Sequence, residues 1–484
     1  MVLLRALERV IGVASMIILA RLLLPADFGM IAMAMSLVAI LELLWSFSFE
    51  SALIQSRDAD RSYYDTAFTL NVGLGLIVAV GLLCLAYPVA WFYEDSRLVP
   101  LICCLAFGSL CQGCENVGVV AYRKELRFGV EFAYQAARKV AGFLVTIPLA
   151  FILRNYWALA AGMVTGKVAA LIISYVAHPF RPRLTLAARS ALVNFSKWLF
   201  FNNVLFTLQM RLQDFVIGKV AGSTGLGLYN VSLDVSTLPT TGIVFPINRA
   251  VFPGFAKLSE QPGALVRGYL SVLGIIALLA LPAGLGVAAT AELLIPTVLG
   301  DKWLDAIPLV RILAFYGTVA ALGSVFGPAF MALGRTRTLS ALTAAAVVLL
   351  LPTVLYGTIT GGVIGAAWAY LAVALVMLPA SHWLAARTFD LGIAQVAAPL
   401  WRPLLASVMM YWAVRSFMLT VGTTGPPQVL LSRLLAAVGL GIVVYLAALA
   451  VLWVLSGRPD GAERDVVQEI KTRLAARRKG RAES

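Results

Sequence analysis

Three ionisable residues, Lys167, Arg211 and Asp214, stand near the middle of long apolar runs. An ionisable side chain at mid-span costs roughly 2.5–3.5 kcal/mol on insertion scales, so each is a functional candidate by default. Lys167 and Arg211 are the first-choice cations for an anionic cargo, with Arg138, Arg249 and Arg311 behind them. Guanidinium and ammonium groups facing an internal cavity suit phosphate oxygens, and the planar arginine fork suits a pyrophosphate in particular. The acids Asp214, Glu42 and Asp234 are candidates for ion coupling or for pairing with those cations. Arg211 and Asp214 lie three residues apart on one helix face, so a purely structural ion pair competes with a cargo role. Arg5, Arg21, Lys219 and Arg433 fall near span ends, where long side chains reach the interface.

Other chemistry is poorly represented. Cys111-Gln-Gly-Cys114 has the spacing of half a zinc site or a redox pair, yet no second pair exists and the histidines are only His178 and His382. The reading is small apolar residues at a helix contact. No GxxxxGK[ST], HExxH or GxSxG motif occurs, so the sequence carries no built-in ATPase, metalloprotease or serine-hydrolase signature. No catalytic residue, cofactor or metal is expected, and no enzyme activity.

The elements that position these residues follow from composition. Of 484 residues, 61% are hydrophobic and 13% charged, against roughly 45–50% and about 25% in soluble domains. The mean hydropathy of +0.89 points to lipid as the solvent. Runs 339–359, 363–386 and 434–455 contain no Asp, Glu, Lys or Arg, and each meets the roughly 20-residue length of a membrane helix. The same pattern elsewhere predicts about fourteen transmembrane helices: 3–24, 28–49, 67–93, 98–121, 132–153, 156–178, 195–221, 226–253, 268–289, 306–333, 338–358, 363–386, 402–421 and 430–456. Residues 1–24 read as a first membrane helix and not a signal peptide, because no small-residue cleavage site follows Leu24.

Orientation follows from the basic residues. With the N-terminus cytoplasmic, 23 of the 38 Lys and Arg fall on cytoplasmic edges, loops and tail, and only Arg97, Arg154 and Lys302 on the other side. Both termini are thus expected inside, and the +14 net charge is a topology signal that requires no nucleic acid. In the tail, Val466, Ile470 and Leu474 recur at helical spacing, the pattern of a short helix on the leaflet surface or of a solvated basic tail.

A repeat is also legible. Ile18-Leu-Ala-Arg-Leu22 with Gly29 aligns with Val216-Ile-Gly-Lys-Val220 with Gly227 at an offset of 198, and 100–107 aligns with 308–315. Six predicted helices separate equivalent points, an even number, so the copies are parallel repeats. The expected organisation is all-α: a six-helix bundle over 1–190, a second over 191–390, two extra helices over 391–456 and a basic cytoplasmic tail over 457–484.

Leu19-Ala-Arg-Leu-Leu-Leu-Pro-Ala-Asp-Phe-Gly29 and Ala52-Leu-Ile-Gln55 resemble the opening of polysaccharide-export proteins of the Wzx type. Asp214-Phe-Val-Ile-Gly-Lys-Val-Ala-Gly222, Leu226-Gly-Leu-Tyr229 and Leu299-Gly-Asp-Lys-Trp303 are similar to their second-half signatures. That family lies in the multidrug/oligosaccharidyl-lipid/polysaccharide superfamily. The resemblance implies two six-helix bundles with two extra helices, and flipping of an undecaprenyl-pyrophosphate-linked oligosaccharide across a bacterial inner membrane. Its partners would be that lipid-linked oligosaccharide, membrane lipids and other polysaccharide-assembly proteins. Relatives usually carry a polar lead-in before the first helix, and this sequence departs from them there. A drug or metabolite antiporter of the same superfamily, and a membrane-embedded polysaccharide polymerase, are the competing readings. The first would favour an apolar, acidic cavity; the second needs a large loop or domain that is not apparent here.

Overall fold

The structure is a computed structural model and describes residues 2–47, 49, 53, 60–125, 127–258, 261–458, 461 and 463–464. Among these residues every regular element is helical. The tail pattern at Val466, Ile470 and Leu474 lies outside the described residues, as do Ala52, Ile54 and Gln55 of the opening signature.

The chain begins with α1 (Val2–Leu22) and α2 (Pro25–Leu41), which continues as a 3-10 turn over Glu42–Phe47. There follow α3 (Arg61–Tyr93), α4 (Leu98–Gly113), a short α5 (Val120–Lys124), α6 (Phe128–Leu153) and α7 (Trp157–Ala177). A 70-residue helical run, α8 (Arg189–Leu258), is broken at Gly222, whose φ of +68° is a left-handed conformation that glycine adopts without Cβ strain. After α9 (Pro262–Val298), α10 (Ile307–Gly323) and the short α11 (Phe326–Ala332) comes α12 (Thr336–Phe389). Non-helical backbone at Gly361 and Gly362 divides α12 into two helices. The chain closes with a short α13 (Ile393–Ala397), then α14 (Trp401–Val421) and α15 (Pro427–Leu455).

Among the described residues, nine helices are long and apolar enough to cross a membrane, or ten if α4 and the 117–124 segment, bent by 61°, form one span. Their outward faces carry large apolar side chains, as acyl chains require. On α15, Leu431, Leu435, Val438, Ile442 and Leu446 recur at helical spacing and are all exposed.

By compactness the chain forms two units, Met1–Asn230 and Val231–Ser484. In the first, Leu19 and Leu23 pack with Ala150 and Ala158. In the second, one core gathers Tyr269, Ile276, Phe326 and Phe330, and another gathers Leu285, Met410, Leu434 and Ala437.

The Leu-Pro-Ala-Asp-Phe-Gly stretch has a mechanical explanation in the first unit. Pro25 opens α2, where its missing N–H costs nothing. The buried Asp27 carboxylate accepts from the Leu24 amide at 2.9 Å and from the Tyr156 amide at 3.0 Å, tying two turns together. Gly29 then crosses the start of the helix after Gly222 so closely that a methyl group would overlap the Ser223 carbonyl. The contact is reciprocal: a methyl on Gly227 would overlap the Pro25 carbonyl. Residues 25 and 29 thus meet 223 and 227, which are the same two positions displaced by 198.

Cys111 is buried on α4, and all five cysteines are free thiols. Beside it Gly113 meets Gly75 of α3, backbone against backbone, so this stretch serves close helix packing. Among the described residues no cluster of His, Cys, Asp or Glu is placed to hold a metal ion.

Candidate functional site

The first unit holds a polar cluster and a polar pocket among its apolar helices. Lys167 on α7 donates from Nζ to Glu42 Oε1 at 2.7 Å, and Ser109 Oγ on α4 lies 3.4 Å from the same oxygen and 3.5 Å from Nζ. Both charged side chains are about three-quarters buried. Gly108 makes room for the lysine stem, since a methyl there would come within 3.2 Å of Lys167 Cδ. The cluster draws on three helical segments that are far apart in sequence. Lys167 is therefore a compensated charge and not a bare cation.

About one turn along α4, a separate pocket of about 260 Å3 opens where the helix bends. Trp45, Asn71, Gln112, Glu115, Asn116 and Arg138 line it, together with Phe49 and two valines. The bend is held by Asn116, whose side chain accepts from the Gly118 amide at 2.9 Å and donates to the Phe180 carbonyl at 2.7 Å. Tyr134 donates to Glu115 Oε2 at 2.9 Å. Arg138 makes no ion pair with any described residue.

Arg211 and Asp214 form the expected contact along one helix, Nη1 to Oδ2, at 3.4 Å. Asp214 is 2% exposed and Arg211 41%, so the carboxylate is sealed while the guanidinium reaches open space. Next to them Phe215 stacks on Tyr93 of α3 at 6.2 Å. One turn on, Lys219 donates to Glu94 at 2.8 Å. Glu94 follows α3 outside the membrane, and this hydrogen bond holds its carboxyl below the ordinary carboxylate range.

In the second unit Arg311 is not an open cation. It donates to Glu292 Oε1 at 2.6 Å, and Arg415 on α14 lies 3.1 Å from Oε2 of the same carboxylate. One acid thus joins α9, α10 and α14 and leaves a single surplus positive charge. Glu292 escaped the sequence reading because the ninth span was ended at 289, whereas α9 continues to Val298. The signal was available, since 290–298 carries no charge apart from this one acid. Arg249 is exposed, its guanidinium carbon 5.7 Å from the Phe245 ring centroid. Asp234 is exposed on the helix after Gly222. The eight sequence candidates thus fall into separate places, with Lys167–Glu42 and Arg211–Asp214 brought together.

The second unit also holds an apolar groove of about 500 Å3, lined by Leu279, Pro282 and Gly286 of α9, Met410 of α14, and Leu434 of α15, and open along the outward row Leu435, Val438, Ile442 and Leu446 of α15. Apart from Thr290 and Tyr445 its walls are hydrocarbon and thioether.

A family model described as "Polysaccharide biosynthesis protein" matches residues 18–308. The lipopolysaccharide biosynthesis protein WzxC of Escherichia coli K12 is 26% identical over 409 residues, covering 82% of this chain and 82% of that protein. The succinoglycan biosynthesis transport protein ExoT of Rhizobium meliloti 1021 is 23% identical over 433 residues, or 88% of this chain and 87% of that one. Among solved structures, the lipid II flippase MurJ in an inward closed conformation gives a TM-score of 0.73 over 93% of this chain and 98% of that one, at 13% identity. At that identity the match shows a common helical fold.

Proposed function

Because the chain belongs to the polysaccharide biosynthesis protein family, we propose that it flips an undecaprenyl-pyrophosphate-linked oligosaccharide across a bacterial inner membrane for surface polysaccharide assembly. The observation that carries this reading is the division of lining chemistry. One unit holds a polar pocket and the other a hydrocarbon groove, and each holds ion-paired cations among its apolar helices. A cargo with a polar head and a prenyl tail needs both, because neither environment solvates the other part. The names of ExoT, a transport protein, and of MurJ, a lipid II flippase, agree with it.

On this reading the membrane crossings number fourteen. The nine apolar helices are joined by α1, by the bent α4 segment, by the two helices of α8, and by the second helix of α12. The reciprocal Gly29–Gly227 crossing supports parallel repeats, with six-helix bundles over 1–190 and 191–390 and two further helices over 391–456. Both termini face the cytoplasm. The bundles rock about the cargo in alternating access. Arg211, whose guanidinium is open while its partner is sealed, is the first contact for the pyrophosphate, with Lys167, Arg249 and Arg311 as further cations. Arg138 is a cargo contact in the polar pocket. Glu42, Asp214 and Asp234 answer those charges or couple an ion.

Depleting the protein in its host should abolish surface polysaccharide. The prenyl-linked repeat unit should then accumulate on the cytoplasmic leaflet, shielded from a membrane-impermeant glycosidase in spheroplasts. Undiminished surface polysaccharide on depletion would rule the reading out.

A further inference from the structure

The pocket at the α4 bend has a composition that a phosphate site would not have. Among the described residues its charged lining is one cation, Arg138, and one anion, Glu115, which carry no net charge between them. A pyrophosphate would bring its negative charge against Glu115 with a single guanidinium to offset it, in surroundings where like charges repel strongly. The cations available to a pyrophosphate lie elsewhere.

What the pocket offers is directional hydrogen bonding. The Trp45 Nε1–H is buried and has no partner among the described residues. The side-chain amides of Asn71 and Gln112, two donors and an acceptor site each, make no hydrogen bond among the described residues. Arg138 adds its fork, and Glu115 supplies carboxylate oxygens beside the Tyr134 hydroxyl. Trp45 and Phe49 provide apolar surface next to these groups. A buried donor left unpaired, as at Trp45, costs free energy that a polar ligand would recover, and the half-buried amides beside it can bond the same ligand. Mixed donors and acceptors around an aromatic wall match a ligand with hydroxyls on its rim and C–H bonds on its face. The volume of about 260 Å3 lies just under the roughly 300–1,000 Å3 of drug-sized sites, which limits the ligand to one small ring.

We propose that this pocket seats one neutral, hydroxyl-rich sugar unit of the cargo's glycan, and not its pyrophosphate. The assignment rests on the flippase reading for the identity of the cargo, and on the pocket lining for the chemistry. Arg138 and Glu115 then recognise ring hydroxyls, Asn71 and Gln112 fix their orientation, and Trp45 both donates and packs on the ring.

Saturation-transfer NMR on the detergent-purified full-length protein tests it, with methyl glucoside, methyl galactoside, methyl N-acetylglucosaminide, glucuronate and inorganic pyrophosphate as probes. At least one neutral glycoside should bind, and pyrophosphate should not displace it. Asn71→Ala and Arg138→Gln should each weaken that glycoside about ten-fold, the loss expected for one hydrogen bond. Trp45→Phe keeps the aromatic wall and loses the donor, so it should weaken binding in the same direction; thermal unfolding of each variant checks that the fold is retained. Binding by none of the neutral glycosides, binding unchanged in the folded variants, or displacement by pyrophosphate would each overturn the assignment. The measurement involves no lipid carrier and no transport, so its outcome is separate from that of the depletion experiment.

Discussion

At the scale of residues, two of the candidate cations find carboxylate partners on other helical segments. Lys167 meets Glu42, and Arg311 shares Glu292 with Arg415. The Glu292 cluster has an unequal response to mutation. Glu292→Gln leaves two guanidinium groups facing a neutral amide, whereas Arg415→Gln leaves Arg311 and Glu292 matched. Full burial of such a group would cost 3–5 kcal/mol; exposure of about a third reduces this, to about 2 kcal/mol for Glu292→Gln. Thermal unfolding in detergent should rank Glu292→Gln below Arg415→Gln, and the reverse order would contradict a bridging role for this carboxylate. Arg211 and Asp214 allow a similar comparison. If Arg211 serves the cargo, Arg211→Ala should reach the membrane in normal amount and fail to export, and Arg211→Lys should recover only part of the export because it lacks the planar fork. An abundant, active Arg211→Ala/Asp214→Ala double variant would leave the pair a structural role only.

Elements are governed here by glycine and by one capped turn. The crossing at Gly29 and Gly227 places backbone against backbone, so an added methyl has no flexible side chain to displace. Gly29→Ala and Gly227→Ala should each lower stability by roughly 1–3 kcal/mol, as overpacking does. Gly439 of α15 is the matching control, because nothing lies within 4 Å of its added methyl. Gly439→Ala should be neutral or stabilising by up to about 1 kcal/mol through helix propensity. Melting temperatures of the three variants check this, and a destabilised Gly439→Ala would show that the effect is not steric. Asp27→Ala should also destabilise, since it strands the Leu24 and Tyr156 amides, at about 1 kcal/mol for each lost hydrogen bond.

For the whole molecule, the testable property is its orientation in the bilayer. The basic residues predict that positions 123 and 183 face the cytoplasm and position 302 the opposite side. In a background lacking the five native cysteines, Arg123→Cys and Arg183→Cys should react with a membrane-impermeant maleimide only after permeabilisation. Lys302→Cys should react in intact spheroplasts. External labelling at position 183 would reverse the assigned topology. Arg183 is held close to α3, its amide donating to Asp65 at 2.8 Å, so the reporter sits on an ordered segment.

Lipid as the solvent, the helical class and the positions of the breaks were legible in the sequence because they depend on local composition. A run such as 363–386 has to be a helix in hydrocarbon, since no water is there to satisfy its backbone. The divisions at Gly222 and at Gly361–Gly362 fall between predicted spans for the same local reason. The Arg211–Asp214 contact was legible too, because a spacing of three on one helix fixes proximity. Which charge answers Lys167 was not, because Glu42 is 125 positions away and only the packing of the 42–47 turn and α4 with α7 brings the two together. The polar pocket drew nothing from the sequence beyond Arg138, since Trp45, Asn71 and Gln112 converge only through the bend of α4 against its neighbours. Glu292 was hidden by a misplaced helix end, and its two arginines come from helices separate from its own. Periodicity and composition are properties of neighbours along the chain, whereas charge compensation and pocket lining depend on long-range contacts that only the packed helices create.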